Sequence, residues 1–202
     1  MTEGQRLAIL ISGYGSNLQA VLDAIDSERL PGAQIVVVVS DRDDACGLER
    51  ARRHGLPALH FPYPSRDSGR QTRRERDGEL ATLLQEYEVD WVVLAGWLRI
   101  LSCEFLRYYP MRVVNVHPAL PGQFPGLNAI ERAFEASRSG EIRETGVTVH
   151  LVPDEAVDAG PIILSESIAI HPEDSLESLT ERTHRVEHRL LIAALSQLLS
   201  ES

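Results

Sequence analysis

The run Val113-Val114-Asn115-Val116-His117-Pro118, followed by Ala119-Leu120-Pro121-Gly122-Gln123-Phe124-Pro125-Gly126, constrains this chain more than any other segment. Its β-branched residues read as a buried strand, whose side chains alternate faces with period two. Asn115 and His117 are two apart and so share a face at the strand's C-terminal end. Pro118 stops the strand, and the Pro- and Gly-rich stretch behind it must be a shaped loop. Open α/β sheets bind ligands beyond the carboxyl ends of their strands. An amide and a titratable imidazole are therefore aimed together at that place. A lone histidine in such a strand is more often a hydrogen-bonded core residue, so the motifs around it decide.

The rest of the chain alternates strand and helix. Leu7 to Ser12 is a short apolar strand, and the stretch after it is apolar at Leu18, Val21, Leu22 and Ile25, a helical spacing. Ile35 to Ser40 predicts a second strand, Cys46 to His54 a helix closed by Gly55, and Ala58 to Phe61 a weak third strand. A helix from about Thr72 to Tyr87 leads to Trp91 to Ala95, apolar throughout and hence buried on both faces. A short helical piece from Cys103 to Tyr109 feeds the Asn115/His117 strand, and Ala129 to Ser137 is helical. Val147 to Val152 and Ile162 to Ile170 read as strands joined by a turn rich in Asp, Glu and Gly, which favours a hairpin. Glu177 to Leu199 is a long final helix. The expected fold is α/β: a Rossmann-like, mostly parallel twisted sheet flanked by helices, with a C-terminal antiparallel hairpin and a long last helix. With 202 residues and no repeat or linker, residues 1–202 are expected to form one domain.

All 20 basic residues are Arg, which excludes a Schiff-base lysine and a Walker-type phosphate lysine. The net charge of −10 argues against nonspecific nucleic-acid binding. No run approaches the ~18 apolar residues of a membrane span, and no basic-then-apolar leader is present, so a cytoplasmic chain is expected. Cys46 and Cys103 are a poor disulfide framework and read as reduced thiols. Arg66, Arg70, Arg73, Arg74 and Arg76, interleaved with Asp67, Glu75 and Asp77, read as a solvated helix start.

Three motifs could carry chemistry. Ser12-Gly13-Tyr14-Gly15-Ser16-Asn17 is a glycine turn between strand and helix. Such a turn lets backbone approach a ligand closely, and the helix start offers free amides suited to phosphate. It is neither the dinucleotide pattern nor a P-loop, and Ser16 or Asn17 could equally serve as a helix N-cap. Asp158, in Val157-Asp158-Ala159-Gly160-Pro161, is either a turn carboxylate or the partner of His117, whose pKa it would then raise. His184-Arg185-Val186-Glu187-His188 matches a helical zinc pattern but lacks an evident third ligand. His117, His150 and Asp158 are an alternative ligand set. His150, in an apolar strand, reads as a buried hydrogen-bonding residue.

The glycine loop, Asn-x-His-Pro and Asp-x-Gly-Pro occur in one order. Together with Leu94-Ala95-Gly96-Trp97-Leu98-Arg99-Ile100-Leu101, they resemble the phosphoribosylglycinamide formyltransferases (glycinamide ribonucleotide transformylases), folate-dependent enzymes of purine biosynthesis. The resemblance runs from Leu7 to about His188. It implies transfer of the formyl group of 10-formyltetrahydrofolate to the amine of glycinamide ribonucleotide. It implies that Gly15, Ser16 and Asn17 hold the ribonucleotide phosphate and Glu187 the other end of that substrate. Arg73, Leu98, Arg99, Ile100 and Leu101 would line the folate pocket, with Asn115 reaching the formyl region. His117 would donate the proton and Asp158 would raise its pKa. Small-molecule substrates, no metal, no nucleic-acid or membrane partner, and a monomer or homodimer go with it.

This chain departs from the family pattern in places. Seven residues separate His150 from Asp158, one more than is usual, so the loop Pro153 to Val157 is longer. Tyr14 stands where a smaller polar residue is common. A formyltetrahydrofolate deformylase shares the Asn-x-His-Pro core but has no need of a phosphate loop. A methionyl-tRNA formyltransferase would carry a tRNA domain. A noncatalytic folate- or nucleotide-binding module would not need Asn115, His117 and Asp158 together.

Overall fold

The computed structural model describes residues 4–64 and 72–200; Arg66, Asp67 and Arg70 lie outside them. In chain order the elements are β1 (Gln5–Ile11), α1 (Ser16–Asp26), β2 (Ala33–Ser40), α2 (Cys46–Arg53), β3 (Ala58–His60), α3 (Arg73–Glu86), β4 (Trp91–Leu94), α4 (Cys103–Leu106), β5 (Val113–His117), α5 (Ala129–Arg138), β6 (Glu144–Leu151), β7 (Ile162–Ala169) and α6 (Leu176–Ser200). The strands form one sheet in the order β3-β2-β1-β4-β5-β6-β7. β3 to β5 pair in parallel, whereas β6 runs antiparallel to β5 and forms a hairpin with β7.

Period-two alternation on the central strands builds a layer on each face. Leu7, Ile9 and Ile11 of β1 pack with Leu18 and Val21 of α1 and with Leu190, Leu191 and Leu195 of α6. Ala8 and Leu10 face the other way, onto Leu80, Ala81 and Leu84 of α3 and Phe105 of α4. β4 is buried at every residue because it is covered on both sides. The start of α3 is fixed by a capping box, in which the Thr72 side chain accepts from the Glu75 amide and Glu75 reaches back.

Some boundaries differ from the sequence expectation. α4 ends at Leu106, and β6 begins at Glu144 because Glu144–Gly146 extend the ladder opposite Ser167–Ala169. The expected N-cap role of Ser16 or Asn17 is not observed. Gly15 occupies that position with φ +76° and no side-chain cap. Among the described residues no helix is long and apolar enough to cross a membrane.

The strand order reverses between β1 and β4, which opens a crevice at their C-terminal ends. The loops leaving these strands are tied together there. The Ser12 amide donates to the Gly96 carbonyl (2.9 Å), and the Leu98 amide donates to the Ser12 hydroxyl (3.0 Å). β5 delivers Asn115 and His117 to the same edge.

Candidate active site

A cavity of about 550 Å³ lies at this edge, and its walls include Leu98, Arg99, Ile100, Leu101, Asn115, His117, His150, Asp158 and Glu187. Leu98, Ile100, Leu127 and Val157, four of the large apolar residues left exposed, all belong to its wall. An apolar rim around a few convergent polar groups suits a flat, largely apolar ligand that reacts at one end.

The polar end is organised by Asp158. Its backbone is left-handed (φ +52°), a conformation Asp tolerates in turns. Gly160 lets this turn press onto β6, because a Cβ there would stand 1.8 Å from the Leu151 carbonyl oxygen. One carboxylate oxygen accepts from the Gly126 amide (2.8 Å) and lies 3.3 Å from Nδ1 of His117. The other accepts from Nδ2 of Asn115 (3.0 Å) and lies 3.6 Å from Nε2 of His150. Burial works to raise the Asp158 pKa. Hydrogen bonding to both oxygens, the Gly126 amide on one and Asn115 on the other, outweighs it and holds the carboxyl below its usual range.

At His117 the influence expected from Asp158 has the expected sign and is opposed by burial. Burial pushes its pKa down; Asp158 and the carbonyls of Gln123 and Phe124 push it up, and burial wins. At 6% exposure the imidazole is neutral near pH 7. The tautomer that points Nδ1–H at Asp158 leaves a lone pair on Nε2, which is buried without a partner.

Asn115 lines the cavity with its amide already engaged. Its Nδ2 is 3.0 Å from Asp158 and 3.1 Å from Nε2 of His150, so both amide hydrogens are engaged inside the protein. Nδ1 of His150 faces the Leu151 carbonyl at 2.9 Å and must carry the proton, leaving Nε2 to accept from Asn115. His150 is thus the buried hydrogen-bonding residue expected from sequence, and its partner is Asn115 of the site. It sits directly opposite Asn115 in the β5–β6 ladder. The period-two pattern of β6 was the available signal, but it needed the register to be read.

Glu187 reaches the cavity from α6 and is 6% exposed. Burial raises its pKa to about 7, against a smaller downward pull from a hydrogen bond with Asn17. Asn17, itself buried, therefore links the glycine loop to the cavity, although Gly15, Ser16 and Asn17 are not part of its wall. Arg73 is likewise outside the wall. Its guanidinium donates to Glu155 (2.6 Å) and to the Ile100 carbonyl (3.1 Å) at the rim. Glu155 also accepts from Arg74 and from the Cys103 amide, which ties the long 153–157 loop to α3 and α4. Arg99 pairs with Asp41 at 2.6 Å and lies over the Tyr63 ring. The rings of His184 and His188 stack 6.4 Å apart, and His184 is 3.7 Å from Glu187. No group of three potential metal ligands occurs among the described residues.

The chain matches the formyl transferase family model over residues 5–195. It is 43% identical to phosphoribosylglycinamide formyltransferase of Dictyostelium discoideum, across 95% of this chain and 97% of that protein. The Schizosaccharomyces pombe enzyme of the same name is also 43% identical, across 97% of this chain and 98% of its own length. The crystal structure of phosphoribosylglycinamide formyltransferase from Bacillus halodurans superposes with a TM-score of 0.86 at 39% identity, covering 97% of this chain and 96% of that one. With a family model matching nearly its whole length and these likenesses in agreement, the chain belongs to the formyl transferase family.

Proposed function

We propose that this chain transfers the formyl group of 10-formyltetrahydrofolate to the amine of glycinamide ribonucleotide in purine biosynthesis. The observation that carries this reading is the convergence of Asn115, His117 and Asp158 at the polar end of an apolar-rimmed cavity. Leu98, Arg99, Ile100 and Leu101 hold the folate. Arg73 joins them when a ligand carboxylate replaces Glu155, an exposed pairing of modest strength. The glycine loop takes the ribonucleotide phosphate and Glu187 its other end. The protein acts as a single domain in the cytoplasm, as a monomer or homodimer, on small molecules alone.

Attack of the amine on the formyl carbon forms a C–N bond and moves an electron pair onto the carbonyl oxygen. The nitrogen becomes positive. Neutral His117, which lines the cavity, accepts a proton from it, and Asp158 stabilises the imidazolium so formed. The imidazolium then gives that proton to the departing folate nitrogen as the old C–N bond breaks and the carbonyl re-forms. His117 is thus a base first and a proton donor second. The oxyanion needs preorganised donors. Asn115 supplies one by exchanging its neutral bond to His150, the weaker of its two, and keeping the charge-assisted bond to Asp158. Because these donors and this base complete the step, no metal and no covalent enzyme intermediate are required.

A spectrophotometric assay of cosubstrate turnover, with the ribonucleotide present or omitted, tests this directly. Turnover is expected only when the ribonucleotide is present. Turnover without it would mark a deformylase, and none under either condition would mark a binding module.

The phosphate loop is tested by Gly13→Val rather than at Gly15. A Cβ on Gly13 meets nothing within 4 Å, whereas one on Gly15 would stand 2.7 Å from the Gly47 Cα and would disturb packing of the protein itself. Gly13→Val is expected to weaken ribonucleotide binding and leave folate binding unchanged in calorimetric titrations. Equal weakening of both would contradict the assignment.

A further inference from the structure

Three consecutive peptides of the glycine loop have their carbonyls held by the protein. The Gly13 oxygen accepts from the Gly47 amide (3.1 Å), and the Gly15 oxygen accepts from the Gln19 amide (3.0 Å). The Tyr14 oxygen between them accepts from Nε of Arg50 (3.0 Å). In a trans peptide the N–H points opposite to the C=O. Fixing these three oxygens therefore turns the amides of Tyr14, Gly15 and Ser16 the other way, as a set. Sets of successive free amides of this kind bind anions.

Of the three anchors, Arg50 alone is a side chain. It belongs to α2, where Gly47 and Arg50 are three apart and face the loop together. The absence of a Cβ on Gly47 lets Gly15 approach it closely. The Arg50 guanidinium also lies 4.5 Å from the centre of the Tyr14 ring and donates to Gln19 Oε1 (3.1 Å). It has no carboxylate partner among the described residues, so its charge stays available beside the loop.

We infer that Arg50 is a positioning residue for anion binding: it locks the Tyr14–Gly15 peptide so that the Gly15 amide faces the phosphate. The inference rests on the ribonucleotide-binding reading of this loop. Without the Arg50 bond the Tyr14 carbonyl has no hydrogen-bond donor among the described residues. Rotation of that peptide is easy because Gly15 is a glycine, and a rotated peptide would present a carbonyl to the anion. The Tyr14 ring lies against the guanidinium and adds a cation–π contact to the same anchor.

The test compares Arg50→Met, Arg50→Lys and Gly13→Val in steady-state assays, with inorganic phosphate as a competitive probe against the ribonucleotide. Arg50→Met is expected to raise the ribonucleotide KM and the phosphate inhibition constant at least tenfold. The folate KM and kcat should stay within about twofold, and Arg50→Lys, which can still reach the carbonyl, should recover part of the loss. An unchanged ribonucleotide KM overturns the inference, as does a parallel loss in both KM values and kcat. If Arg50→Met fails to fold, Arg50→Lys decides on its own. An increase of less than twofold in its ribonucleotide KM would then count against Arg50, because the lysine lacks the planar fork that serves two acceptors. Should Gly13→Val raise the KM while the Arg50 variants do not, Arg50 is wrong and the loop assignment stands. If none of the three raises it, the loop assignment itself fails.

Discussion

His117→Ala is expected to slow single-turnover formyl transfer by roughly a hundredfold to ten-thousandfold, the usual cost of losing a general acid–base group. The loss should fall on the chemical step, with the folate and ribonucleotide dissociation constants little changed. Because burial holds the imidazole neutral, wild-type activity should fall on the acid side, as His117 takes up a proton below its ordinary pKa of ~6.5. Asp158→Asn removes an upward influence on that pKa, so the acid limb should move to lower pH even as the maximal rate drops. An NMR titration of the His117 ring in both proteins checks the direction. A wild-type pKa above 6.5 would restore the proton-donor role expected from sequence and exclude the base-first order.

The second large effect is on stability. Glu187 is raised from 4.5 to about 7 by burial. Below pH 4.5 the carboxyl is protonated in both folded and unfolded chains and costs nothing. Between the two values the folded chain holds a proton that the unfolded one releases, so stability falls as pH rises. Above pH 7 the penalty is complete, at about 3 kcal/mol from roughly 1.4 kcal/mol per pKa unit. Glu187→Gln removes the titration. The variant should melt about 6 to 12 °C higher than wild type at pH 8, and with a much smaller difference at pH 5. Its ribonucleotide affinity should drop, since a binding group has been traded for stability. Equal melting differences at both pH values would show that Glu187 is not the titrating group.

The parallel half of the fold was legible because each of its strands is a short β-branched or apolar run followed by a helix of regular spacing. Asn115 and His117 followed from alternation within one strand. The Asp158 contact, 41 residues from His117 in sequence, follows from the antiparallel hairpin, whose register alternation alone does not set. The buried hydrogen-bonding role of His150 was legible, but its partner was not, for the same reason: Asn115 is 35 residues away across a strand pair. The upward pull of Asp158 on His117 was legible because a carboxylate can be read from sequence; the burial that outweighs it was not, because desolvation cannot. The lowered pKa comes from burial of the ring, a packing outcome. Arg73 was drawn toward the cavity by resemblance, while Glu155, on the loop before Asp158, holds it at the rim.

The most direct measurement is a double-mutant cycle of His117→Ala and Asp158→Asn, read as single-turnover rates with both substrates saturating. If Asp158 acts on the reaction through His117, the double mutant should be little slower than His117→Ala alone, because groups that work as a unit are lost together. Fully multiplicative losses would show that the two residues act independently, and the proton carried between the amine and the folate nitrogen would need another route.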